Sequence, residues 1–328
     1  MSLLTSKLSE ENRKKAHELF EVPEQFDEVA DLMVREEEWQ VILLMGKEPM
    51  TDKELRKNIE KNHLAASPYV LINRMYTRAV LDKVVDADEL TWKIGGFYRR
   101  YSYYAQFEYY EFGCLPKELI DALYDWQTEI YQSIFAPQVK AKMNGEDVEI
   151  HNQTYMTLEE CDKIIDAHPD DIHLLPCNCK SQKFFHDRKL NVCTHLFRHP
   201  NGEVDRGLGD PITAEEAKKK IREFNASGLM QNGEDGGFCN CDGLCCFPQQ
   251  MAKKVGSRLF YPKSNWKIDW HEDECINCGK CTRICNFGAF YKDENRKVHY
   301  DVDKCWGCTI CAPNCPKGAI HLLPREQD

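Results

Sequence analysis

The feature that most constrains this 328-residue chain is a cysteine pattern that occurs twice near its C-terminal end. Each copy has the spacing C-x2-C-x2-C-x3-C, and the second follows the first at an offset of thirty residues. The cysteines are Cys275, Cys278, Cys281, Cys285, Cys305, Cys308, Cys311 and Cys315. Flanking residues repeat at the same offset, since Gly288-Ala289-Phe290 corresponds to Gly318-Ala319-Ile320 and Asp273 to Asp303. The region is therefore an internal duplication, and its closely spaced thiols are better placed to share metals than to form distant disulfides.

The duplicated region resembles the bacterial ferredoxins that hold two 4Fe–4S clusters. The resemblance implies that the fourth cysteine of each copy binds the cluster of the other copy. The implied ligand sets are Cys275, Cys278, Cys281 and Cys315 for the first cluster, and Cys305, Cys308, Cys311 and Cys285 for the second. Zinc or disulfides are the alternatives, but tetrahedral zinc sites usually use separated cysteine pairs.

One position departs from the ferredoxin pattern. Pro316 follows the last cysteine as in that family, whereas Asn286 replaces the proline after Cys285. Proline there mainly fixes the backbone, so we expect the change to alter local hydrogen bonding and potential rather than ligation.

Seven further cysteines predict another metal centre in the middle of the chain. They are Cys177, Cys179, Cys193, Cys239, Cys241, Cys245 and Cys246. The order of C-x-C, a lone cysteine, a capped helix and C-x-C-x3-C-C resembles a cysteine-rich domain found beside ferredoxin modules in anaerobic iron–sulfur proteins. Since seven thiols exceed the four that a cubane needs, some must be spare or serve elsewhere. A third Fe–S cluster, zinc and a redox dithiol all remain open, because soft thiolates suit each of them.

Isolated histidines and cysteines have simpler interpretations. Four histidines lie in the same segment, namely His173, His186, His195 and His199. A surface or hydrogen-bonded histidine is the ordinary case, and His195, two residues after Cys193, is the best candidate for a nitrogen ligand. Cys114 and Cys161 stand alone and are expected to be buried small side chains.

The cysteine usage also bears on the compartment. Fifteen of the seventeen cysteines lie between Cys177 and Cys315, and a disulfide framework favours short secreted chains instead. We find no basic and apolar leader typical of export, and no apolar run long enough to cross a bilayer. We therefore expect a cytoplasmic protein with no membrane span.

The N-terminal region is predicted to be mostly helical. The pattern predicts three helices: one over Glu37–Met45, one that begins at the capping box of Thr51 and Glu54 and runs to Ile59, and one over Ser67–Val84. A hairpin is predicted to follow over Leu90–Phe107, with its turn at Gly95-Gly96. This order resembles a winged helix-turn-helix domain, as in small bacterial repressors of the MarR type.

That resemblance implies DNA binding, but the charges oppose it. The formal net charge of the chain is −11, and residues 1–150 contain 19 Lys and Arg against 28 Asp and Glu. The helix that would read DNA offers only Arg74 and Arg78 as cations. Because phosphate neutralisation dominates DNA affinity, we expect a docking role or a homodimer contact instead of nucleic-acid binding. The acidic balance also favours a redox partner protein with a basic patch.

The middle region is predicted to mix short elements with loops. The expected elements are a helix from the capping box of Thr157 and Glu160 to Ala167, a strand over Ile172–Leu175, a helix from Thr213 to about Asn225–Gly228, and a glycine-rich loop over Gln231–Gly237. The expected fold class is therefore α+β. The predicted domains are a winged-helix-like domain over 1–135, a cysteine-rich domain over 136–262 and a ferredoxin-like domain over 263–328.

These patterns predict an iron–sulfur electron-transfer protein that relays low-potential electrons to or from a partner oxidoreductase. The alternatives are a reductase that binds its substrate at the middle cysteines, and a redox-sensing regulator that uses the winged-helix-like region. No phosphate-binding loop, dinucleotide fingerprint or nucleophile elbow is present in the sequence, so no catalytic residue is assigned.

Overall fold

The computed structural model describes residues 8–148, 154–184, 189–196, 198–234 and 237–325. The chain divides into two compact units. The first comprises Met1–Pro116 and Arg198–Leu208, and the second comprises Lys117–Phe197 and Gly209–Asp328. Among the described residues, no helix combines the length and apolar character that crossing a membrane requires.

The first unit is mainly helical with one small sheet. Its helices are α1 (Glu10–Leu19), α2 (Asp27–Met33), α3 (Glu36–Met45), α4 (Asp52–Lys61), α5 (Pro68–Thr77), α6 (Phe97–Phe107) and α7 (Tyr109–Phe112). Its strands are β1 (Met50–Thr51), β2 (Leu81–Lys83) and β3 (Thr91–Ile94), which pair antiparallel in the order β1-β3-β2. Helix α4 begins at the predicted capping box, where the Thr51 hydroxyl accepts from the Glu54 N–H and the Glu54 carboxylate accepts from the Thr51 N–H.

Two predictions in this unit are wrong in their detail. The helix predicted over Ser67–Val84 ends at Thr77, and its last part is strand β2, paired with β3. Only the start of the hairpin predicted over Leu90–Phe107 is a strand, because Phe97–Phe107 is helix α6. Phe97, Tyr101 and Tyr104 are all buried at helical spacing, so tertiary packing outweighs the strand preference of aromatic residues.

An ion-pair network is enclosed in the first unit. The Arg100 guanidinium is fully buried, donates through Nε to the Met33 carbonyl at 2.8 Å and pairs with Glu108. Glu108 also binds Arg78, with N–O at 3.1 Å. Burial and the neighbouring Arg78 charge lower the pKa of Arg100 to about 10. Burial alone would raise the pKa of Glu108, but the Arg100 and Arg78 charges outweigh it, so that pKa is lowered.

The second unit contains a larger antiparallel sheet with helices and two strand pairs. Its helices are α8 (Lys117–Met143), α9 (Leu158–Ala167), α10 (Asn178–Lys183), α11 (Ala214–Ala226), α12 (Phe247–Val255) and α13 (Lys280–Ile284). Its strands are β4 (Thr154–Tyr155), β5 (His173–Pro176), β6 (Asn191–His195), β7 (Asp210–Pro211), β8 (Met230–Glu234), β9 (Gly237–Cys241), β10 (Trp266–Trp270), β11 (Phe290–Lys292), β12 (Val298–Tyr300) and β13 (Ile320–Pro324). The six-stranded sheet has the order β4-β8-β9-β6-β5-β7, and β10 pairs with β13 and β11 with β12. The mixture of helix and sheet confirms the α+β class.

The two helix starts that capping boxes predict in the second unit are confirmed, but one predicted loop is wrong. Helices α9 and α11 begin at the capping boxes of Thr157 and Thr213, as predicted. The loop predicted over Gln231–Gly237 is instead part of the β8–β9 hairpin; residues 235 and 236 lie outside the described residues. Gly233 is required there, because a Cβ atom would lie 2.6 Å from the Phe238 Cβ on the facing strand.

The compact units divide the chain differently from the predicted domains. The boundary expected at 135/136 falls inside the continuous helix α8, and the boundary expected at 262/263 falls inside the second unit. Cys161 is buried between α9 and α11, as expected, whereas Cys114 is exposed and donates to the Tyr110 carbonyl at 3.4 Å. The prediction of a buried Cys114 is therefore wrong, because Cys114 follows the C-terminal end of the short helix α7 on the surface.

Candidate metal centres

The duplicated cysteine pattern surrounds two cavities in the second unit. The first, with about 350 Å³ of empty space including its mouth, is lined by Cys275, Cys278, Cys281 and Cys315. The second, with about 300 Å³, is lined by Cys285, Cys305, Cys308 and Cys311. Each cavity is therefore lined by three cysteines of one copy and one cysteine of the other, Cys315 at the first and Cys285 at the second.

The backbone around the cavities retains the duplication. Asn277 and Gly307, thirty residues apart, both have positive φ, at 55° and 64°. The next equivalent pair, Gly279 and Thr309, shares this conformation at 74° and 65°. A positive φ is unusual for a β-branched residue such as Thr309. Its side chain is buried and donates to the Met156 carbonyl at 3.2 Å, which fixes the turn.

The surroundings of three of these thiols favour the protonated form when no cation is present. Burial, together with the nearby Cys275 thiol, raises the pKa of Cys281 to about 11. Burial and neighbouring cysteines also raise the pKa values of Cys308 and Cys311. Metal binding requires thiolates, so the positive charge of bound iron is what would stabilise them here. A mainly apolar cavity whose lining includes four cysteines and no histidine, aspartate or glutamate fits a 4Fe–4S cluster.

Asn286, the residue in place of the family's proline, connects the module to the middle region. Its side-chain oxygen accepts from the Gly243 N–H at 3.1 Å, and its amide nitrogen donates to the Gly228 carbonyl at 2.9 Å. Asn286 therefore makes two hydrogen bonds that a proline side chain could not make. What the sequence did not reveal is that these bonds reach the loop that carries Cys245.

The middle cysteines are brought together from four parts of the unit. Cys177 and Cys179 lie at the start of α10, Cys193 on β6, Cys239 and Cys241 on β9, and Cys245 and Cys246 before α12. Strands β6 and β9 are neighbours in the sheet, and this pairing brings Cys193 close to the C-x-C on β9.

Six of these thiols form a row in which neighbours affect one another's pKa values. Cys177 interacts in this way with Cys179 and Cys193. Cys239 interacts likewise with Cys193 and Cys241. The row ends at Cys246, whose sulfur is 3.4 Å from that of Cys241. Hydrogen bonds from their neighbours lower the pKa values of Cys177 and Cys239, so these two carry the thiolate charge most readily.

Cys245 differs from the other six. Its sulfur lies 3.4 Å from a carboxylate oxygen of Asp242, and burial together with that charge raises its pKa. Asp242 in turn faces the ammonium group of Lys180 at 3.8 Å, and both side chains are almost fully buried, at 2% and 1% exposure. The Lys180 charge also favours the thiolates of Cys177 and Cys239.

The row of thiols and the second cavity share one apolar core. Cys241, Cys246, Cys308 and the fully buried Tyr155 belong to the same cluster, and the stacked rings of Phe287 and Trp306, 5.0 Å apart, pack against it. The Tyr155 hydroxyl accepts from the buried amide of Gln249 at 2.6 Å. The two groups of cysteines are therefore adjacent.

The histidines of the same segment are weaker candidates for metal ligands than the cysteines. His195 and His173 are cross-strand partners on β6 and β5, and the His195 charge lowers the pKa of Cys239. His199 belongs to the first unit, and His186 lies outside the described residues.

Within the described parts of the chain, one set of three metal-binding side chains has ligand atoms all within 4.8 Å of one another. It consists of His271, Glu274 and His321, and sequence reasoning missed it.

Comparison with known proteins identifies the C-terminal region. Residues 268–322 match the family model of a 4Fe-4S dicluster domain. No curated protein and no solved structure matched the chain. The chain therefore carries an iron–sulfur domain of the electron-transfer type in its C-terminal part.

Proposed function

We propose that this protein relays low-potential electrons to or from a partner oxidoreductase through two 4Fe–4S clusters and a third metal centre. Each cluster, when bound, supplies reversible one-electron transfer. The protein's own residues hold the clusters through eight thiols, shield them with apolar side chains and fix their positions. The observation that carries the proposal is the pair of cavities, each lined by three cysteines of one copy and one of the other.

The exchange of Cys285 and Cys315 can be tested with two double variants. If ligation is crossed, Cys278→Ala with Cys315→Ala removes both ligands from one cluster, so anaerobically purified protein loses about four iron atoms. Cys278→Ala with Cys285→Ala then affects both clusters and loses about eight. Uncrossed ligation predicts the opposite order, and equal losses in the two variants would also refute the proposal. Acid-labile sulfide should fall in parallel with iron.

For the third centre we propose an Fe–S cluster bound by cysteines of the middle row. A tetrahedral zinc site, with Zn–S near 2.3 Å, places its sulfur atoms about 3.8 Å apart in every pair. Among the described residues, the only trio with ligand atoms within 4.8 Å contains no cysteine, which favours a larger cluster over zinc. About twelve iron atoms per chain would support this centre. About eight iron atoms per chain, with or without zinc, would refute the third Fe–S cluster. That result would leave the proposal for the two C-terminal clusters unaffected.

The two cavities differ in their access to solvent, which suggests where a redox partner binds. Cys278 of the first set is exposed, as are Ile276 and the acidic run Glu272–Glu274. Cys305, Cys308 and Cys311 of the second set are buried. We therefore propose that a partner with a basic patch docks beside the first cavity. Charge reversal of Glu272 and Asp273 should slow electron exchange and reduce its salt dependence.

The first unit is proposed to serve in docking or dimerisation rather than in DNA binding. Its order of helix, strand, two helices and hairpin supports the winged-helix likeness, but the cations of α5 are engaged internally. Arg74 pairs with Glu37 at 2.5 Å, and Arg78 pairs with the buried Glu38 at 2.5 Å. The same helix exposes Tyr69 and Val70, at 58% and 61%. Salt-sensitive binding of the full chain to duplex DNA would refute this assignment, whereas a dimer that Val70→Glu dissociates would support it.

A further inference from the structure

The surface around the first cysteine copy contains a second kind of metal-binding group, made of nitrogen and oxygen ligands. His271 follows strand β10, Glu274 lies in the turn that leads to Cys275, and His321 lies on strand β13. Their ligand atoms all lie within 4.8 Å of one another, and the two histidine rings are 4.8 Å apart at their centroids. Two histidines and one glutamate are a ligand set that Zn²⁺ uses in proteins.

The backbone holds these three residues in a fixed arrangement. Strands β10 and β13 pair antiparallel, so that Asp269 lies directly opposite His321. The His271 N–H donates to the Ala319 carbonyl at 2.9 Å, and the Glu274 N–H donates to the His271 carbonyl at 3.3 Å. A site on paired strands and a hydrogen-bonded turn needs only side-chain movement to close around an ion.

A neighbouring carboxylate orients one of the histidines. Nε2 of His271 lies 3.0 Å from an Asp269 oxygen, while its Nδ1 faces Glu274 at 3.8 Å. A histidine that binds a metal usually donates its other ring N–H to such a carboxylate. The second-copy positions equivalent to His271 and Glu274 are Asp301 and Lys304, which form an ion pair at 3.1 Å. The nitrogen and oxygen group is therefore particular to the first copy.

We propose that His271, Glu274 and His321 bind one divalent transition-metal ion of the zinc type, with Asp269 as a positioning residue. The neighbouring carboxylates of Asp269 and Asp273 favour a cation here. The proposal does not depend on what the cysteines bind.

The test uses the full-length holoprotein, purified anaerobically and titrated with Zn²⁺ against a chromophoric chelator, and separately with Co²⁺. We expect one equivalent of Co²⁺ whose spectrum lacks thiolate-to-metal charge transfer, and one equivalent of Zn²⁺ that displaces it. Glu274→Gln and His321→Gln should abolish this binding, and Asp269→Asn should weaken it by about 10- to 100-fold.

His299→Gln is the matched control, because His299 also faces a carboxylate, Asp293 at 3.0 Å, but lies outside the converging group. It should bind as the unsubstituted protein does, and the cluster absorbance should be unchanged in every variant, which shows that the fold is intact. Absence of binding, binding that survives Glu274→Gln and His321→Gln, or a thiolate signature would each overturn the proposal.

Discussion

Gly307, in the turn between Cys305 and Cys308, is where a single methyl group should damage the second cavity most selectively. The residue is buried with φ at +64°, and its N–H faces the Cys305 sulfur at 3.4 Å. A Cβ added there would overlap the Ser264 hydroxyl and lie 2.8 Å from the Trp266 carbonyl oxygen. Ser264 is held in place, because its hydroxyl lies 2.9 Å from the Gly307 carbonyl and 3.0 Å from that of Trp266.

The expected loss of stability in Gly307→Ala is the sum of two separate free-energy costs. A left-handed conformation costs a non-glycine residue about 1–2 kcal/mol. Overpacking against a fixed neighbour adds about 1–3 kcal/mol. Gly318→Ala is the matched control, since Gly318 has φ at +71° but nothing within 4 Å of the Cβ that alanine would add, so it incurs only the first cost. Gly307→Ala should therefore be less stable than Gly318→Ala by about 1–3 kcal/mol.

Cluster loss is irreversible, so the appropriate measurement is a rate. We would follow the decay of cluster absorbance in guanidinium under anaerobic conditions, for both variants and the unsubstituted protein. If the difference acts mainly on unfolding, Gly307→Ala should decay roughly 5- to 160-fold faster than Gly318→Ala. Equal decay of the two variants would refute the inference that the Ser264 contact constrains this turn.

Three further predictions concern buried charges and thiols. Lys180→Met leaves the Asp242 carboxylate without its buried partner and should destabilise the protein by about 3–5 kcal/mol, measured by denaturant titration. Adding Asp242→Asn should restore most of that stability, and an unchanged unfolding midpoint for the single variant would contradict the ion pair. Glu108→Gln leaves the fully buried Arg100 charge next to a second arginine and should cost about 3 kcal/mol, measured by the circular dichroism of thermal unfolding; a loss below about 1 kcal/mol would contradict this. Because folding raises the pKa of Cys281 from 9.0 to about 11, the folded apoprotein holds that proton more tightly than the unfolded chain, so its unfolding midpoint should fall as pH rises from about 9 to 11. The holoprotein, whose thiols are already ionised, should lack this dependence, and an equal fall in both forms would contradict the assignment.

Features encoded by neighbouring residues could be predicted from the sequence. The capping boxes at Thr51, Thr157 and Thr213 each begin a helix, because the reciprocal hydrogen bonds involve residues three apart. The duplication of the cysteine pattern is likewise visible in spacing alone, whereas the grouping of the thiols around the two cavities was implied by the resemblance to two-cluster ferredoxins.

Features that depend on distant partners could not be predicted in this way. The aromatic run in Phe97–Phe107 suits a strand locally, and only burial of one helical face makes it α6. The row of middle thiols requires the pairing of β6 with β9, which spacing does not reveal. The group of His271, Glu274 and His321 spans fifty residues and exists only because β10 pairs with β13.

A chain of hydrogen-bonded, buried amide side chains connects the ferredoxin module to the middle cysteines. Asn314, next to Cys315, donates to Asn225 at 2.6 Å, and Asn225 donates to Gln231 at 2.7 Å. Gln231 donates to Asn240 at 2.9 Å, and Asn240, which lies between two cysteines of the row, donates to the Val192 carbonyl at 2.6 Å. A buried amide left unpaired costs about 1–3 kcal/mol, so loss of any one member penalises its neighbours as well. The chain therefore fixes the spacing between the C-terminal cavities and the middle thiols, which is the distance that electrons would cross in the proposed relay.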